Sequence, residues 1–135
     1  GFVQIHGNQV VGTSNHGIAI AAGHDIDIRN NRTISSGKLA DGSQIGAANV
    51  GSYVANYYRA PGTFFNNVVT ANTIGWMSAA GKLNNTWFPD CPGTDCQGNS
   101  LFGTTVTPAM EAAEFTSWQQ KLAAAGAKVG SSLEP

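Results

Sequence analysis

The stretch AGHDIDIRNN, residues 22 to 31, alternates charged side chains with isoleucine. Asp25, Asp27 and Arg29 occupy every second position, and isoleucines fill the positions between them. Because alternate side chains of a β-strand point to opposite faces, the three charged groups share the face turned away from the core. Residues i and i+2 of a strand lie ~6.6 Å apart, and the carboxyl groups of inverting glycoside hydrolases lie roughly 6.5–9.5 Å apart. The spacing therefore indicates Asp25 and Asp27 as candidate catalytic acids.

A simpler interpretation of the same residues stays open. Outward positions of a strand are usually polar, and Asp27 with Arg29 would form an exposed ion pair worth under ~1 kcal/mol. In that case these side chains only form the solvent-exposed face of a strand and have no catalytic role, which is the more common situation.

A repeat adds neighbours to the charged face. VQIHGNQVVG, residues 3 to 12, aligns with IDIRNNRTIS, residues 26 to 35, at an offset of 23. Because equivalent residues of stacked parallel strands form ladders, Gln4 should lie beside Asp27 and His6 beside Arg29. We interpret His6 as a candidate general base, and Gln4 and Arg29 as candidate substrate-binding residues.

The repeat continues further along the chain. TFFNNVVTANTI places Asn67 at 36 residues after Asn31, and KLNNTWF is a weaker fourth copy. The offset of 36 would bring Thr63 and Phe65 beside the charged face, and Phe65 is a further candidate for substrate binding. Asparagines that recur at one corner could bond to one another where the chain turns, which predicts a ladder of Asn8, Asn31 and Asn67.

A glycine-rich insertion over about residues 36–61 accounts for the longer offset. Its sequence AANVGSYVANYYRAPG carries Tyr57, Tyr58 and Arg59. Aromatic faces stack on sugar rings and arginine holds carboxylates, so these three residues are candidates for gripping an acidic polysaccharide. The alternative, that the tyrosines pack the insertion against the strands, stays open. Trp76 and Trp87 are expected to be buried.

The run GIAIAAGHDIDIRNNRTI resembles the right-handed parallel β-helix of the pectate-lyase-like superfamily, and the resemblance covers about residues 1–90. It implies an all-β solenoid of about four rungs, and a polysaccharide-active protein that cleaves glycosidic bonds by hydrolysis or β-elimination. A non-catalytic carbohydrate-binding, adhesin or tailspike-like protein is the alternative. The Asn-Thr-Asp, Asp-Asp, Gly-His-Gly and Arg-Ile-Lys motifs of polygalacturonases do not occur, so no family catalytic residue is carried over.

The character of the chain changes after residue 103. TTVTPAMEAAEFTSWQQKLAAAGAKVG offers Thr107 as N-cap, Pro108 at the first helical position and Gly126 just past the end. The apolar face of the predicted helix holds Phe115, Trp118, Leu122 and Ala125. We therefore expect strands over residues 1–103 and, over 104–135, an amphipathic helix that caps the C-terminal end of the solenoid, followed by a tail.

The composition of the chain argues against a nucleic-acid partner and against a membrane span. Charged residues make up 11% of the chain and the formal net charge is -1, which argues against a nucleic-acid partner. No apolar run approaches the ~20 residues of a membrane span. Cys91 and Cys96 stand in DCPGTDCQG without further Cys or His at ligand spacing, so we expect a disulfide, no metal and no cofactor. The disulfide favours a secreted or cell-surface protein.

Phe2, Val3 and Ile5 already follow the repeat pattern. We therefore expect the chain to be the C-terminal part of a longer protein, whose upstream rungs would pack on this end. Another subunit packing there is the alternative.

Overall fold

The computed structural model describes residues 1–45 and 50–127. Within them, short strands precede a single α-helix. The elements are β1 (Val3–His6), β2 (Gln9–Val11), β3 (His16–Ile20), β4 (Ile26–Arg29), β5 (Arg32–Ser35), β6 (Val50–Val54), β7 (Val68–Thr70), β8 (Thr73–Trp76), β9 (Thr86–Trp87), β10 (Ser100–Leu101) and α1 (Pro108–Ala124).

The strands form three parallel sheets. Sheet A has the order β1-β4-β7, sheet B has the order β10-β8-β5-β2, and sheet C has the order β3-β6-β9. Every pairing between these strands is parallel. The chain visits the sheets in the sequence A, B, C on each of its first three passages, so hydrogen-bonded neighbours come from successive passages.

The register between the first two passages is the predicted one. Val3 pairs with Ile26 and Gln4 with Asp27, and the same offset of 23 joins Asn8 to Asn31. The predicted register of the third passage is wrong. Asp27 pairs with Val68 instead of Thr63, and Arg29 pairs with Thr70 instead of Phe65. The true offset is 41 residues, because the corner asparagine of this passage is the last one in NNVVTAN.

The predicted fold class is wrong. We expected an all-β right-handed parallel β-helix of about four rungs with a C-terminal capping helix. The structure instead has three separate parallel sheets of three, four and three strands, which do not close into one, and a helix on one side. The chain is therefore a small mixed α/β domain. A regular solenoid is not maintained because the offset between successive passages changes from 23 to 41 residues.

The segment interpreted as an insertion contains the central strand of sheet C. β6 pairs with β3 on one side and with β9 on the other. Residues 46–49 of the predicted insertion, and 128–135 of the predicted tail, lie outside the described residues. Gly51 and Ser52 interrupt the apolar pattern of this strand, which is why the sequence did not indicate it.

Sheets B and C approach each other closely around Gly51. A Cβ atom placed on Gly51 would lie 2.5 Å from Cγ2 of Ile74 and 2.7 Å from the carbonyl oxygen of Asn85. The side chains of Ile74 and Trp76 are fully buried beside it. Because Gly51 has no side chain, Ile74 and Trp76 can pack directly against its backbone.

Sheets A and C enclose the main apolar cluster. Ile20, Ile28, Val54 and Val69 are buried in it. A second cluster lies on the outer side of sheet B, where Ile34 and Met77 pack with Val106 and its neighbours on the C-terminal segment.

A ladder of asparagine side chains joins the passages at the turn from sheet A to sheet B. Oδ1 of Asn31 accepts the backbone N–H of Asn8 at 2.9 Å and its Nδ2 group at 3.0 Å. Asn72 accepts the same two bonds from Asn31 at 2.9 and 3.0 Å. Asn99 accepts them from Asn72 at 3.0 and 2.9 Å. The predicted ladder exists, and its third member is Asn72 instead of Asn67.

The ladder also satisfies backbone carbonyl groups that would otherwise be buried without a donor. Nδ2 of Asn31 donates to the carbonyl oxygen of Ile5 at 2.8 Å, and Nδ2 of Asn72 donates to that of Ile28 at 3.0 Å. The residues before the ladder positions adopt left-handed backbone angles, with φ of 56° at both Asn30 and Ala71. The side-chain bonds hold the chain in this tight turn.

Helix α1 begins at Pro108 after the N-cap Thr107, as the sequence predicts, although Thr107 makes no side-chain cap bond. The expectation that it covers the C-terminal end is wrong, because it packs against β2 and β5. A charged side chain fixes this position. Glu114 is 9% exposed. Its carboxylate accepts hydrogen bonds from Nε of Arg32 at 2.8 Å, from Nη2 of Arg32, and from Nε2 of Gln9 at 2.7 Å.

The hydrogen bond from Arg32, together with the bond from Gln9, lowers the pKa of Glu114 in spite of its burial. The carboxylate is therefore ionised at neutral pH and holds the helix by charge-assisted bonds. Phe115, predicted on the packed face, is instead 56% exposed. Glu111 adds a second polar contact by accepting the backbone N–H of Ser36, and Met110 packs on the cluster beside sheet B. The helix thus docks largely through polar contacts where its sequence pattern indicated an apolar face.

Replacing Asn72 by Ala should lower the free energy of unfolding by about 2–4 kcal/mol, because the buried amide groups of Asn31 lose their acceptor. Asn8→Ala is the matched control, since Asn8 is an exposed end of the ladder and should cost under ~1 kcal/mol. Urea unfolding measures both. Equal losses for the two variants would contradict the role of the ladder.

Gly51→Ala should cost about 3 kcal/mol or more, because its Cβ would overlap backbone and buried side-chain atoms. A Cβ atom placed on Gly103 would meet no atom within 4 Å, so Gly103→Ala should change stability by less than ~0.5 kcal/mol. Thermal unfolding followed by circular dichroism checks the pair. A Gly51→Ala protein as stable as the parent would show that sheets B and C can separate freely.

Candidate functional site

The outer face of sheet A gathers three of the predicted site residues. Nε of Arg29 lies 2.5 Å from Oδ1 of Asp27, and Nε2 of His6 lies 3.6 Å from Oδ2 of the same carboxylate. Gln4 is the register partner of Asp27 on β1. Asp27 therefore faces two nitrogen groups at once, and the offset of 23 predicted this grouping.

Asp25 belongs to a different group just before β4. Its backbone is left-handed, with φ of 56°, and its carboxylate accepts from His24 at 2.5 Å and from Nδ2 of Asn66 at 3.1 Å. The His24 ring stacks on Phe65 with centroids 4.5 Å apart. The hydrogen bond from His24, followed by the bond from Asn66, lowers the pKa of Asp25.

These contacts define what the face can do chemically. A general acid for glycoside cleavage needs a raised pKa, whereas the pKa of Asp25 is lowered. The carboxylate of Asp27 accepts a hydrogen bond from Nε of Arg29. The face thus presents two separately bonded carboxylates, and Thr63, predicted beside them, bonds its hydroxyl group to the carbonyl oxygen of Ala60.

Aromatic rings form a continuous row across sheet C. The His16 and Tyr53 rings stack with centroids 4.7 Å apart, and the Tyr53 and Trp87 rings follow at 4.8 Å. The row steps from β3 to β6 to β9, so its spacing is that of neighbouring strands. Burial lowers the pKa of His16, so its ring is neutral at neutral pH. Trp87 ends the row on the edge strand and is 50% exposed.

A cleft of about 610 Å³ opens beside this row. Of the predicted binding residues, Tyr57 and Arg59 line it. Tyr57 is 68% exposed, and Tyr58, which is 74% exposed and lies next to the lining, meets the Tyr57 ring edge-on at 5.3 Å. Arg59 has a left-handed backbone, with φ of 52°, and its side chain makes no ion pair within the described residues. The cleft is lined by Tyr53, Ala55, Asn56, Tyr57, Arg59, Trp87, Pro89 and Asp90.

The predicted disulfide between Cys91 and Cys96 is confirmed, and it follows directly on Pro89 and Asp90, which line one wall of the cleft. Asp90, next to Cys91, accepts the backbone N–H of Asn56 at 2.7 Å. Both half-cystines pack against the cluster of sheets A and C. The bond therefore fixes the wall to the core, and it indicates an oxidising environment.

The structure brings the predicted residues into two places instead of one. Gln4, His6, Asp27 and Arg29 lie on sheet A, with Asp25 and Phe65 beside His24 just before β4. Tyr57 and Arg59 line the cleft beside sheet C. Sequence reasoning missed the row of His16, Tyr53 and Trp87, and expected Trp87 to be buried. The row forms because β6 pairs with β3 and β9. The sequence did not indicate β6 as a strand, so it did not indicate the row.

No group of three His, Cys, Asp or Glu side chains within residues 1–45 and 50–127 could hold a metal ion. Over the same residues, no helix is long and apolar enough to cross a membrane. Comparison with known protein families, curated proteins and solved structures gives no significant match. The resemblance to the pectate-lyase-like superfamily therefore remains a prediction from the sequence.

Removing the His24 ring should raise the pKa of Asp25 toward its ordinary value, because that ring gives the largest stabilisation of the carboxylate. A carbon-13 NMR titration of the aspartate carboxyl groups in His24→Ala measures this shift. Arg29→Gln is the control, since Arg29 bonds to Asp27, and it should leave the Asp25 titration unchanged. An unmoved Asp25 pKa in His24→Ala would contradict the assigned contact.

Proposed function

We propose that this protein binds carbohydrate, without cleaving it, through the cleft beside sheet C. The observation that carries the proposal is the row of stacked rings that ends in the half-exposed Trp87 at the cleft. Exposed aromatic side chains of this size on a folded protein are typical of binding surfaces. Sugar rings have apolar faces that pack on aromatic rings.

The row of rings restricts the motion of the Trp87 side chain. The rings of His16 and Tyr53 support Trp87 from one side, so little side-chain entropy is lost when a ligand contacts the indole. Asp90, which directly precedes the disulfide, accepts the backbone N–H of Asn56, and this bond joins two residues that line the cleft. Such a pre-formed cleft is the usual form of a site for a small ligand.

Polar groups around the aromatic surface can accept and donate hydrogen bonds to hydroxyl groups. Asp90 offers carboxylate oxygens, and Arg59 offers guanidinium N–H groups. Tyr57 and Tyr58 add hydroxyl groups at the rim. A few convergent polar groups beside an apolar floor give orientation and selectivity.

The lowered pKa of Asp25 and the ion pair of Asp27 favour binding over cleavage as the function. Because its pKa is lowered, Asp25 is not held in the protonated form that glycosidic-bond cleavage by acid catalysis needs. Export from the cell, as a secreted or surface protein, is part of the proposal, because the disulfide favours an oxidising environment and polysaccharides are abundant outside cells.

Trp87→Ala should weaken binding to a recognised polysaccharide by about tenfold, equivalent to ~1.4 kcal/mol, because the largest apolar surface of the cleft is lost. Affinity electrophoresis against a panel of neutral and acidic soluble polysaccharides identifies the ligand, and calorimetry then gives the dissociation constants.

Phe2→Ala is the matched control, since Phe2 is an exposed aromatic residue, 89% exposed, that does not line the cleft. It should bind as the parent does. Binding that is lost in Phe2→Ala and kept in Trp87→Ala would contradict the proposed site, and so would the absence of any binding across the panel. Release of reducing ends or unsaturated products would contradict a purely binding function.

A further inference from the structure

A second hollow adjoins the cleft beside sheet C. Its volume is about 280 Å³, and Phe65, Asn66, Asp90 and Asp95 are among the residues that line it. Asp90 also lines the cleft. The cleft and the hollow are therefore neighbours that share one carboxylate.

The same two segments of the chain line both volumes. Residues 55–59 of the first segment contribute to the cleft, and residues 64–67, a few positions further on, line the hollow. In the second segment, residues 87–90 contribute to the cleft and residues 90–95 to the hollow. The bond from the backbone N–H of Asn56 to Asp90 joins the two segments. One groove therefore runs between them, from the edge of sheet C to the residues before β7.

Phe65 gives the hollow an aromatic surface that is held in place. The residue is 46% exposed, and one face of its ring stacks on His24 with centroids 4.5 Å and planes 7° apart. The His24 ring bonds to the Asp25 carboxylate, which also accepts Nδ2 of Asn66. The backbone N–H of Asp25 donates to the carbonyl oxygen of Phe65 at 3.1 Å. Phe65 thus has the kind of support that Tyr53 gives to Trp87 in the cleft, which reduces the entropy lost on binding.

The hollow carries negative charge. Asp90 and Asp95 line it, and none of the described residues that line it is Lys, Arg or His. The hydrogen bond from His24 lowers the pKa of Asp25, so this carboxylate is ionised at neutral pH beside Asn66. Carboxylates accept hydrogen bonds from hydroxyl groups and repel other carboxylates. The hollow therefore suits an uncharged sugar and disfavours a uronic acid.

We propose that the hollow is a second subsite of the binding groove, which holds an uncharged sugar of a chain whose neighbouring sugars lie in the cleft. This inference rests on the proposed function of the cleft and adds the class of ligand, a neutral polysaccharide bound over several units. Arg59 by itself indicates an acidic chain, but the carboxylates of Asp90 and Asp95 outnumber it along the groove. Because linked sugars bind together, a second subsite strengthens the binding of long chains more than that of short ones.

The dependence of affinity on chain length tests the second subsite. Titration calorimetry compares the disaccharide and the hexasaccharide of the cellulose, xylan and mannan series, since the cleft of about 610 Å³ has room for a disaccharide alone. In the recognised series, the hexasaccharide should bind to the parent protein about tenfold more tightly than the disaccharide. Phe65→Ala should weaken hexasaccharide binding about fivefold and leave disaccharide binding unchanged.

Phe115→Ala is the matched control for Phe65→Ala. Phe115 also stacks on an aromatic ring, that of Trp118, and is 56% exposed, but it lines neither the cleft nor the hollow. This variant should bind both oligosaccharides as the parent does.

Asp95→Asn tests the charge of the subsite, because it removes one carboxylate and keeps the size of the side chain. Polygalacturonate should retard this variant more than the parent in affinity electrophoresis, each measured relative to a gel without polysaccharide. Affinity for the neutral hexasaccharide should stay within about twofold, since an amide oxygen also accepts from hydroxyl groups. Equal retardation of the two proteins by polygalacturonate would contradict an uncharged sugar at this subsite.

The outcomes separate the second subsite from the function of the cleft. Binding that Trp87→Ala weakens and Phe65→Ala leaves unchanged would overturn the subsite and keep the cleft. The absence of binding to every oligosaccharide and to polygalacturonate would overturn both. If Phe65→Ala does not fold, the parent protein decides, and equal affinities for the disaccharide and the hexasaccharide would overturn the subsite. Tighter binding of polygalacturonate than of any neutral chain would overturn the class of ligand.

Discussion

The asparagine ladder is the interaction on which the rest of the structure depends. Asn31 and Asn72 are buried, and each bonds the passages before and after it through both its backbone N–H and its side-chain amide. Because a buried amide without a partner costs more than the bond itself contributes, the ladder permits one stacking register. The same offsets of 23 and 41 join the strands of sheet A on one side of the ladder and those of sheet B on the other.

The register of the ladder builds one functional surface directly, and sheet C has a pairing of its own. On sheet A the ladder register places His6 and Arg29 beside Asp27. On sheet C the pairing of β6 with β9 brings Tyr53 against Trp87 and so builds the edge of the cleft. Each surface therefore depends on turns that lie away from it. A change of register by one residue would turn the aromatic side chains toward the core.

The helix illustrates a different constraint. Its sequence has the caps and period of an amphipathic helix, yet two carboxylates, those of Glu111 and Glu114, bond it to sheet B and the residue that follows β5. Glu114, ionised because Arg32 lowers its pKa, bonds across two strands of sheet B. An ion pair removed from water needs all its hydrogen bonds, so the position of Arg32 fixes the helix and leaves Phe115 exposed.

The sequence by itself determined the short strands from β1 to β5, the offset of 23 between the first two passages on sheets A and B, the helix after Thr107 and the local disulfide, because each rests on contacts that near neighbours or a short repeat encode. Only the tertiary structure decided that Asn72 continues the ladder, that Val50–Val54 is a central strand and that the sheets stay separate. These depend on partners far along the chain, such as Ile74 against Gly51, and neither residue type nor spacing specifies which distant surface a strand will meet.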